Sequence, residues 1–351
     1  YHKITRYRGL RMFDISHAEK LRAQMQGDVE RGVFQLEKYL SQQTDVVPYL
    51  NEWLQDIEGT VAPGTWCNYR SCVRNHIIPF FEKNTVCLHE IQHDVLMKLL
   101  KSIDLQPKGK YNVMMCLHAC LDYAWRSRRI EVVPPFPKKS VYQLVDPVIH
   151  WIPEDRQMNI INAIPEEHRP IFLWLKYHMR RPAEAMTLRR EDYDPQAGVF
   201  TIQRGISANQ EVHHTKTRQV HYIPCHSEFK TILDAMPVKY PFSPHLFTCD
   251  EAENTHKRYT RNVMGRIWKE ACKAAGESIS LYSGLKHSTV TQYLHAGYSF
   301  EELRVLTDHA SVESTKKYAS LQMAQKKALM EGKLLRLKSG SESGMRKARK
   351  S

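Results

Sequence analysis

Apolar residues recur at helical spacing from residue 45 onwards. One series runs from Val46 to Ile57 and predicts an amphipathic helix. The Pro-Gly pair at residues 63–64 marks a turn, after which Thr65 is expected to cap a helix that ends at Pro79. Two more helices are predicted over residues 93–103 and 111–128. Four or five short helices of this kind predict a compact all-α domain.

The second half of the chain mixes helices with extended segments. Residues 199–203 and 212–224 are predicted to be extended, the latter with a basic hairpin inside. Helical spacing of apolar residues predicts helices over 154–164, 169–179, 227–235, 258–275, 285–295, 299–306 and 311–320, and a last one that ends at 337. We therefore predict a fold that is mainly α with a small β-sheet, in which an α+β domain follows the all-α domain.

Three prolines between residues 134 and 137 separate these two patterns. Proline cannot continue a helix, so this stretch favours an extended linker. The predicted organisation is an N-terminal segment (1–42), a helical domain (43–135), a linker (136–150), an α+β domain (151–338) and a basic disordered tail (339–351).

Lysine and arginine outnumber aspartate and glutamate by 51 to 38, which gives a net charge of +13. Such an excess favours a polyanionic partner, nucleic acid above all, with a merely cationic surface as the alternative. No apolar run approaches the roughly 18 residues of a membrane span. The eight cysteines include no CxxC pair, which favours reduced thiols in a cytoplasmic protein.

Four short blocks carry candidate chemistry. Residues 306–319 read LTDHASVESTKKYA, with His309 and Tyr318 nine positions apart. Residues 178–194 read HMRRPAEAMTLRREDYD and hold an Arg-x-x-Glu pair that begins at Arg181. Residues 215–217 read TKT around Lys216, and residues 283–287 read SGLKH.

In their order along the chain, the blocks resemble those of tyrosine recombinases, the phage integrase family. Residues 306–319 resemble the signature LGH…T…YA, residues 178–194 resemble GLRxSELxxLxWxDxD, and the TKT block resembles the family's β-hairpin. The resemblance covers about residues 45–335. It implies a helical core-binding (SAM-like) domain that binds DNA, and a catalytic domain in which Arg181, Lys216, His309 and Tyr318 act on DNA.

The fourth block departs from the family pattern HxxRH. Lys286 stands where the family has its second arginine, and Ser283 stands where it has a histidine. Lysine keeps the charge but loses the bidentate grip of arginine, and serine is no base at neutral pH. Both are retained as candidate catalytic residues, with Tyr282 as an alternative group at this place.

The resemblance implies a reaction that needs neither cofactor nor metal. Tyr318 would attack a DNA phosphorus and form a 3′-phosphotyrosine link, which stores the bond energy for religation. Arg181 would hold two phosphate oxygens, and His309 would donate a hydrogen bond to a phosphate oxygen. Lys216 would protonate the 5′ oxygen as it leaves.

Each of these residues has an ordinary structural alternative. Tyr318 is one of 17 tyrosines and could be a packing residue of an amphipathic helix. His309 could be a loop histidine that caps a neighbouring helix. Arg181 could pair with Glu184, and Lys216 could belong to a solvated hairpin. The order and spacing of the blocks, rather than any single residue, favour the functional interpretation.

The predicted partner is double-stranded DNA. The candidate contact residues share positive or hydrogen-bonding side chains outside the predicted core: Thr65, Asn68, Tyr69, Arg70, Arg74, Lys108, Lys110, Arg126, Arg128, Lys138, Lys139 and Arg218. The resemblance further implies a homotetramer on DNA that assembles through the amphipathic segment after Tyr318, and accessory DNA-bending proteins. The alternative is that this segment forms a helix that packs against its own chain and not against another protomer. Residues 1–42 are interpreted as the remnant of an arm-binding domain.

The sequence thus predicts a site-specific recombinase (integrase) of a phage or other mobile element. Two alternatives stay open. One is a catalytically degenerate recombinase that only binds DNA, for which Ser283 and Lys286 are the argument. The other is an enzyme like a type IB topoisomerase or telomere resolvase, which shares the chemistry.

Overall fold

The computed structural model describes residues 6–7, 10–11, 15–34, 44–146 and 148–307. The chain forms two compact units, residues 1–146 and 147–351, so the division falls inside the predicted linker. His309, Tyr318 and the predicted tail lie outside the described residues. Within the described part, no helix is long and apolar enough to cross a membrane.

The first unit is helical, as predicted. After the short strands β1 (Arg6–Tyr7) and β2 (Leu10–Arg11), its α-helices are α1 (Ile15–Glu30), α2 (Val46–Asp56), α3 (Pro63–Cys72), α4 (Ile78–Lys83), α5 (His93–Ser102) and α6 (Pro107–Arg126). Helix α2 buries Val46, Tyr49, Leu50, Trp53 and Leu54, which are three or four positions apart. The core of this unit is built from such faces.

Two details around helix α3 differ from the prediction. The helix begins at Pro63 with Ala62 at its N-cap, so Thr65 is not a cap. Proline suits the first helical position because the N–H there needs no helical partner. The helical path also does not end at Pro79, which lies within α4. A π-helical turn, Val73–Ile77, precedes α4, and this wider turn accommodates a residue that lacks an N–H and crowds the preceding turn.

The beginning of the predicted linker packs on the helical unit. Residues Lys139–Tyr142 form a 3-10 turn, and Tyr142 is buried in the core of this unit. The Tyr142 ring meets the Tyr111 ring edge to face, with 5.1 Å between centroids. An aromatic anchor of this kind fixes the chain before it enters the second unit.

The second unit combines helices with small antiparallel sheets. Its α-helices are α7 (Glu154–Asn162), α8 (Arg169–His178), α9 (Pro182–Ala185), α10 (Ser227–Ala235), α11 (Arg261–Ala274), α12 (Ser288–His295) and α13 (Phe300–Thr307). Strands β3 (Tyr193–Asp194), β4 (Val199–Ile202) and β7 (His221–Pro224) form one sheet, and β5 (Gly205–Ser207) and β6 (Gln210–Val212) form a hairpin.

The core of the second unit is aromatic. Phe200 on β4 lies opposite Ile223 of β7 and packs against Trp174 of α8, with 5.9 Å between ring centroids. Phe229 of α10 and Trp268 of α11 belong to the same core. The sheet is thereby held between helices, and the predicted fold class is confirmed.

The strands place Lys216 differently from the prediction. The hairpin joins β5 to β6, and its tip is Ala208–Asn209, both with left-handed backbone. Lys216 lies after this hairpin, in the connection from β6 to β7, because β7 pairs with β4 instead of β6. The expectation of a basic hairpin within residues 212–224 was therefore wrong.

Two helix starts also differ from the prediction. Helix α11 begins at Arg261 and not at residue 258, because the Thr260 side chain caps it by accepting a hydrogen bond from the Val263 N–H. The helix predicted from residue 285 begins with a π-helical turn, Ser283–His287, that leads directly into α12.

Candidate active site

Arg181 occupies the turn between two helices. Helix α8 ends at Met179, whose left-handed backbone redirects the chain, and Arg181 is the N-cap of the short helix α9. The Glu184 carboxylate accepts hydrogen bonds from the Arg181 guanidinium (2.8 Å) and from the Arg181 backbone N–H (3.0 Å). The Arg181–Glu184 ion pair, which the sequence suggested as a purely structural role for Arg181, is therefore present. The Arg181 side chain nevertheless stays 23% exposed, which leaves donors available to a ligand.

Tyr282 and Lys286 reach this ion pair from a distant part of the chain. The Arg181 guanidinium donates a hydrogen bond to the Tyr282 hydroxyl. Lys286 is 1% exposed, and its charge acts on Glu184. The structure therefore brings Arg181 and Lys286 to one carboxylate, although about a hundred residues separate them in the sequence.

Electrostatics fix the charge states in this cluster. Burial raises the pKa of Glu184, but the Arg181 charge, the Arg181 backbone N–H and the Lys286 charge together outweigh burial and lower that pKa below its ordinary value. Burial raises the pKa of Tyr282 despite the opposing effect of Arg181, so its phenol is neutral at physiological pH. The cluster thus holds two cations and one carboxylate, an excess of positive charge suited to a phosphate.

The π-helical turn Ser283–His287 positions Lys286. A turn of this type leaves main-chain carbonyls without their usual helical donors. The buried amide of Gln157 donates to the Gly284 and Leu285 carbonyl oxygens, at 2.7 and 3.3 Å. Ser288 Oγ donates to the Ser283 carbonyl oxygen at 2.8 Å. Polar side chains thereby stabilise the wide turn from inside the core.

Gly284 permits the close packing of the same turn. A Cβ atom at this position would lie 2.3 Å from Cζ2 of Trp268, whose ring is itself buried. Only glycine allows α11 to approach the turn so closely. This fixes the turn, and with it Lys286, against the core.

The structure gives Ser283 a local role. Its hydroxyl accepts a hydrogen bond from Ser280 Oγ at 2.9 Å, and its backbone N–H donates to the same oxygen. Ser283 is thus engaged with Ser280, while the neighbouring Tyr282 is the residue that contacts Arg181. The alternative group named from the sequence is the one that reaches the cluster.

Lys216 lies in a turn organised by threonines. Thr215 Oγ1 donates to the Gln219 carbonyl oxygen at 2.7 Å, and Thr217 Oγ1 lies 3.0 Å from His221 Nε2. Lys216 itself is exposed, and so is Arg218, whose backbone is left-handed. The turn is therefore held in a defined shape by its threonines, and the Lys216 side chain is exposed to solvent.

Sequence reasoning missed the roles of two residues next to Arg181. Arg180 is 1% exposed and donates to the Leu306 carbonyl oxygen at 3.0 Å, which holds the end of α13 beside the arginine segment. His178 Nδ1 donates to the Trp174 carbonyl oxygen, and its Nε2 accepts from the His226 N–H. Burial lowers the pKa of His178 to about 4, which keeps it neutral as this acceptor requires. Arg180 and His178 both stood in the quoted motif, but nothing in the motif distinguished supporting side chains from active ones.

Two sequence-family profiles match the chain. The phage integrase family matches residues 151–325, and the phage integrase N-terminal SAM-like domain matches residues 47–103. The chain belongs to the phage integrase family. It is accordingly a site-specific recombinase, an enzyme that cleaves and rejoins DNA. No curated protein sequence matches it significantly.

Solved structures of integrases and recombinases share the fold. The Tn1549 transposon integrase in complex with transposon right end DNA is 17% identical, over 82% of this chain and 100% of that one, with a TM-score of 0.63. XerH bound to a palindromic difH substrate is 14% identical, over 87% and 89%, with a TM-score of 0.61. A lambda integrase tetramer bound to a Holliday junction is 14% identical, over 88% of each chain, with a TM-score of 0.57.

The helical unit of this integrase carries most of the candidate DNA-contact residues. The exposed ones among them are Asn68, Arg74, Lys108, Arg126, Arg128, Lys138 and Lys139. Thr65 and Lys110 are half-buried. The Arg70 guanidinium lies over the Trp66 ring at 4.6 Å, which holds it in place. Tyr69, in contrast, packs its ring against Trp53, so it serves the core at least as much as the surface.

Proposed function

We propose that this integrase recombines DNA through a 3′-phosphotyrosine intermediate formed at the Arg181 cluster. The observation that carries the proposal is the convergence of Arg181, Tyr282 and Lys286 around Glu184. Two cations share one buried carboxylate, so the site keeps a positive charge where a phosphodiester carries a negative one. Family membership supplies the reaction, and the cluster supplies the electrostatics that the reaction needs.

Arg181 is the phosphate-binding group in this proposal. Attack on a phosphodiester adds charge to the nonbridging oxygens in the transition state, and fixed cations stabilise that charge best in a site shielded from water. Glu184 and the Tyr282 hydroxyl orient the guanidinium, and the partly exposed Arg181 side chain keeps further N–H groups for a phosphate. Lys286 contributes the second charge, which acts on Glu184, and takes the place of the family's second arginine.

The remaining roles extend the family pattern to the other matched positions. Tyr318 is the nucleophile, His309 hydrogen-bonds the phosphate, and the exposed Lys216 protonates the 5′ oxygen as it leaves. Each group either forms a bond to the phosphate or moves one proton, so no cofactor is required.

Double-stranded DNA is the proposed partner, contacted in the helical unit by Arg70, Arg74 and Lys108 and around the active site by Lys216 and Arg218. Such contacts predict an affinity that falls steeply with salt. We further propose that four protomers assemble on two sites through residues 321–334, with accessory DNA-bending proteins, in the integration or excision of a mobile element. The lambda integrase structure on a Holliday junction is a tetramer, which supports this arrangement.

A suicide substrate tests the proposal directly. Nicked duplexes made from the DNA that flanks the gene should trap a covalent complex on denaturing gels. Tyr318→Phe should abolish the complex while gel-shift affinity stays unchanged. Tyr222→Phe serves as the control, because Tyr222 is a 70% exposed tyrosine of β7 that does not belong to the Arg181 cluster.

The outcomes also separate the alternatives. Tight binding without any covalent complex in the unaltered protein would identify a degenerate DNA-binding member of the family. Relaxation of supercoiled plasmid without exchange of flanking DNA would identify a topoisomerase-like activity. Trapping that persists in Tyr318→Phe would exclude Tyr318 as the nucleophile.

A further inference from the structure

Three potential metal ligands meet in the second unit, and none of them belongs to the Arg181 cluster. His168 lies just before α8, and Cys249 and Glu251 lie between α10 and α11. One ligand atom from each residue lies within 4.8 Å of the other two. All three line a cavity of about 740 Å³. His168 and Cys249 are buried and Glu251 is exposed, so the group opens to solvent on one side only.

Tyr259 contacts both His168 and Cys249. Its hydroxyl lies 2.8 Å from His168 Nδ1, and it also hydrogen-bonds Cys249. A phenol has one proton to donate, and its oxygen can also accept a hydrogen bond. If that proton is donated to the sulfur, the phenol oxygen must accept from Nδ1–H. His168 Nε2 then carries a lone pair, as a metal ligand requires.

The Cys249 sulfur is surrounded by hydrogen-bond donors. The backbone N–H groups of Glu251 and Ala252 and the hydroxyl of Tyr259 lie within hydrogen-bonding reach of it. A thiol is a weak acceptor, and the same donors would stabilise the thiolate that forms when a metal binds. The turn that supplies these N–H groups is closed by the Ala252 N–H on the Cys249 carbonyl oxygen at 3.2 Å.

Glu251 presents one free oxygen to the histidine. Its Oε2 pairs with Arg266, while its Oε1 lies 3.9 Å from His168 Nε2. This distance exceeds a hydrogen bond, and with Nδ1 protonated the two facing atoms both carry lone pairs. A cation between them would bind both, while Arg266 continues to orient the carboxylate.

We propose that His168 Nε2, Cys249 Sγ and Glu251 Oε1 bind one divalent cation of the zinc class, with water as the fourth ligand. The combination of nitrogen, sulfur and carboxylate oxygen suits zinc and cobalt(II), whereas magnesium and calcium prefer oxygen alone. Tetrahedral ligands are about 3.5 Å apart, a separation that the exposed Glu251 side chain reaches by a small rotation. On binding, the Cys249 thiol gives its proton to the solvent, and its sulfur takes the metal in exchange.

This site would act on the fold and not on the recombination chemistry. It joins the segment before α8 to the segment before α11, two parts of the chain that are about 80 residues apart. A cation that binds only the folded state stabilises it. The proposal therefore stands independently of the proposed recombinase mechanism, and its test needs no DNA.

Cobalt(II) titration of the full-length protein is the test. One equivalent should produce visible bands of tetrahedral cobalt and a near-ultraviolet thiolate-to-cobalt band, and zinc should displace both. Cys249→Ser should abolish the thiolate band. Cys272→Ser, which changes another buried cysteine of the same unit, should retain it. Glu251→Gln changes an exposed side chain and should weaken binding at least tenfold without unfolding the protein.

Two results would overturn the proposal. One is the absence of stoichiometric cobalt or zinc binding to the folded, reduced protein at micromolar concentration. The other is a thiolate band that persists in Cys249→Ser, which would place the metal on a different cysteine. If Cys249→Ser fails to fold, His168→Gln and Glu251→Gln decide the question, since unchanged affinity in both would also refute it.

Discussion

The side-chain amide of Gln157 donates a hydrogen bond to the main-chain carbonyl oxygen of Gly284 at 2.7 Å. Gln157 is fully buried, and the same amide also lies 3.1 Å from Thr289 Oγ1. One side chain of α7 thus stabilises the turn that carries Tyr282 and Lys286. The geometry of the active-site cluster depends on a residue that touches none of its charged groups.

Replacement of Gln157 by leucine should therefore weaken both the fold and the reaction. The carbonyl oxygens of the turn would be buried without a donor, which costs about 1–3 kcal/mol. Urea unfolding should report that loss, and the yield of covalent complex on a suicide substrate should fall as Lys286 moves. Gln196→Ala, at an exposed turn, should change neither quantity. An unaltered stability in Gln157→Leu would show that the turn does not need this donor.

Loss of the Tyr282 hydroxyl should slow cleavage without weakening DNA binding. Tyr282→Phe keeps the ring but removes the acceptor that orients the Arg181 guanidinium. A hydrogen bond to a charged group of this kind is worth roughly 1.4 kcal/mol, or about tenfold in rate. Single-turnover cleavage rates and gel-shift affinities should separate the two effects, with Tyr222→Phe as the matched control. A wild-type cleavage rate would remove Tyr282 from the site.

Glu184 should make stability depend on pH in a defined direction. The cations around Glu184 lower its pKa in the folded state, so its carboxylate stabilises the fold fully above the ordinary pKa of glutamate, and this contribution is lost as the pH falls through the lowered value. Glu184→Gln should cost on the order of 2 kcal/mol at neutral pH. The difference from wild type in urea unfolding should shrink towards about pH 3. Glu253→Gln, at an exposed carboxylate, is the control. A difference that grows on acidification would contradict the assignment.

Lys216 should be needed for proton transfer and for nothing structural. Lys216→Ala removes an exposed side chain from a turn that threonines hold, so folding should be unaffected. Cleavage should slow by about a hundredfold. A substrate with sulfur at the 5′ bridging position needs no proton on its leaving group and should restore the rate. Lys269→Ala, an exposed lysine of α11, should cleave normally. Failure of the sulfur substrate to rescue Lys216→Ala would exclude Lys216 as the acid.

The sequence predicted the helices and the family well, because apolar spacing and motif order are local signals. It placed the candidate arginine at Arg181, whose side chain stays partly exposed in the structure, whereas Arg180 is buried. Arg180 turns inwards to the Leu306 carbonyl oxygen, a long-range contact that no local pattern encodes. The wide turn at residues 283–287 was also missed, since helical periodicity alone does not separate it from a regular helix.

The position of Lys216 shows a different limit. The residues around it are strongly polar and suggested a simple hairpin. Only the pairing of β7 with β4 reveals that the lysine lies between two sheets. Which strands pair depends on contacts between residues far apart in the sequence, here Phe200 opposite Ile223. The local sequence pattern therefore does not predict the pairing.

The wide turn at Ser283–His287 also limits how this stretch of chain can vary in length. A regular helix rotates by about 100° per residue, so the loss of one residue here would swing Tyr282 away from Arg181 even if every side chain were kept. Insertions and deletions between 283 and 287 should therefore be as damaging in this protein as substitutions of its charged residues.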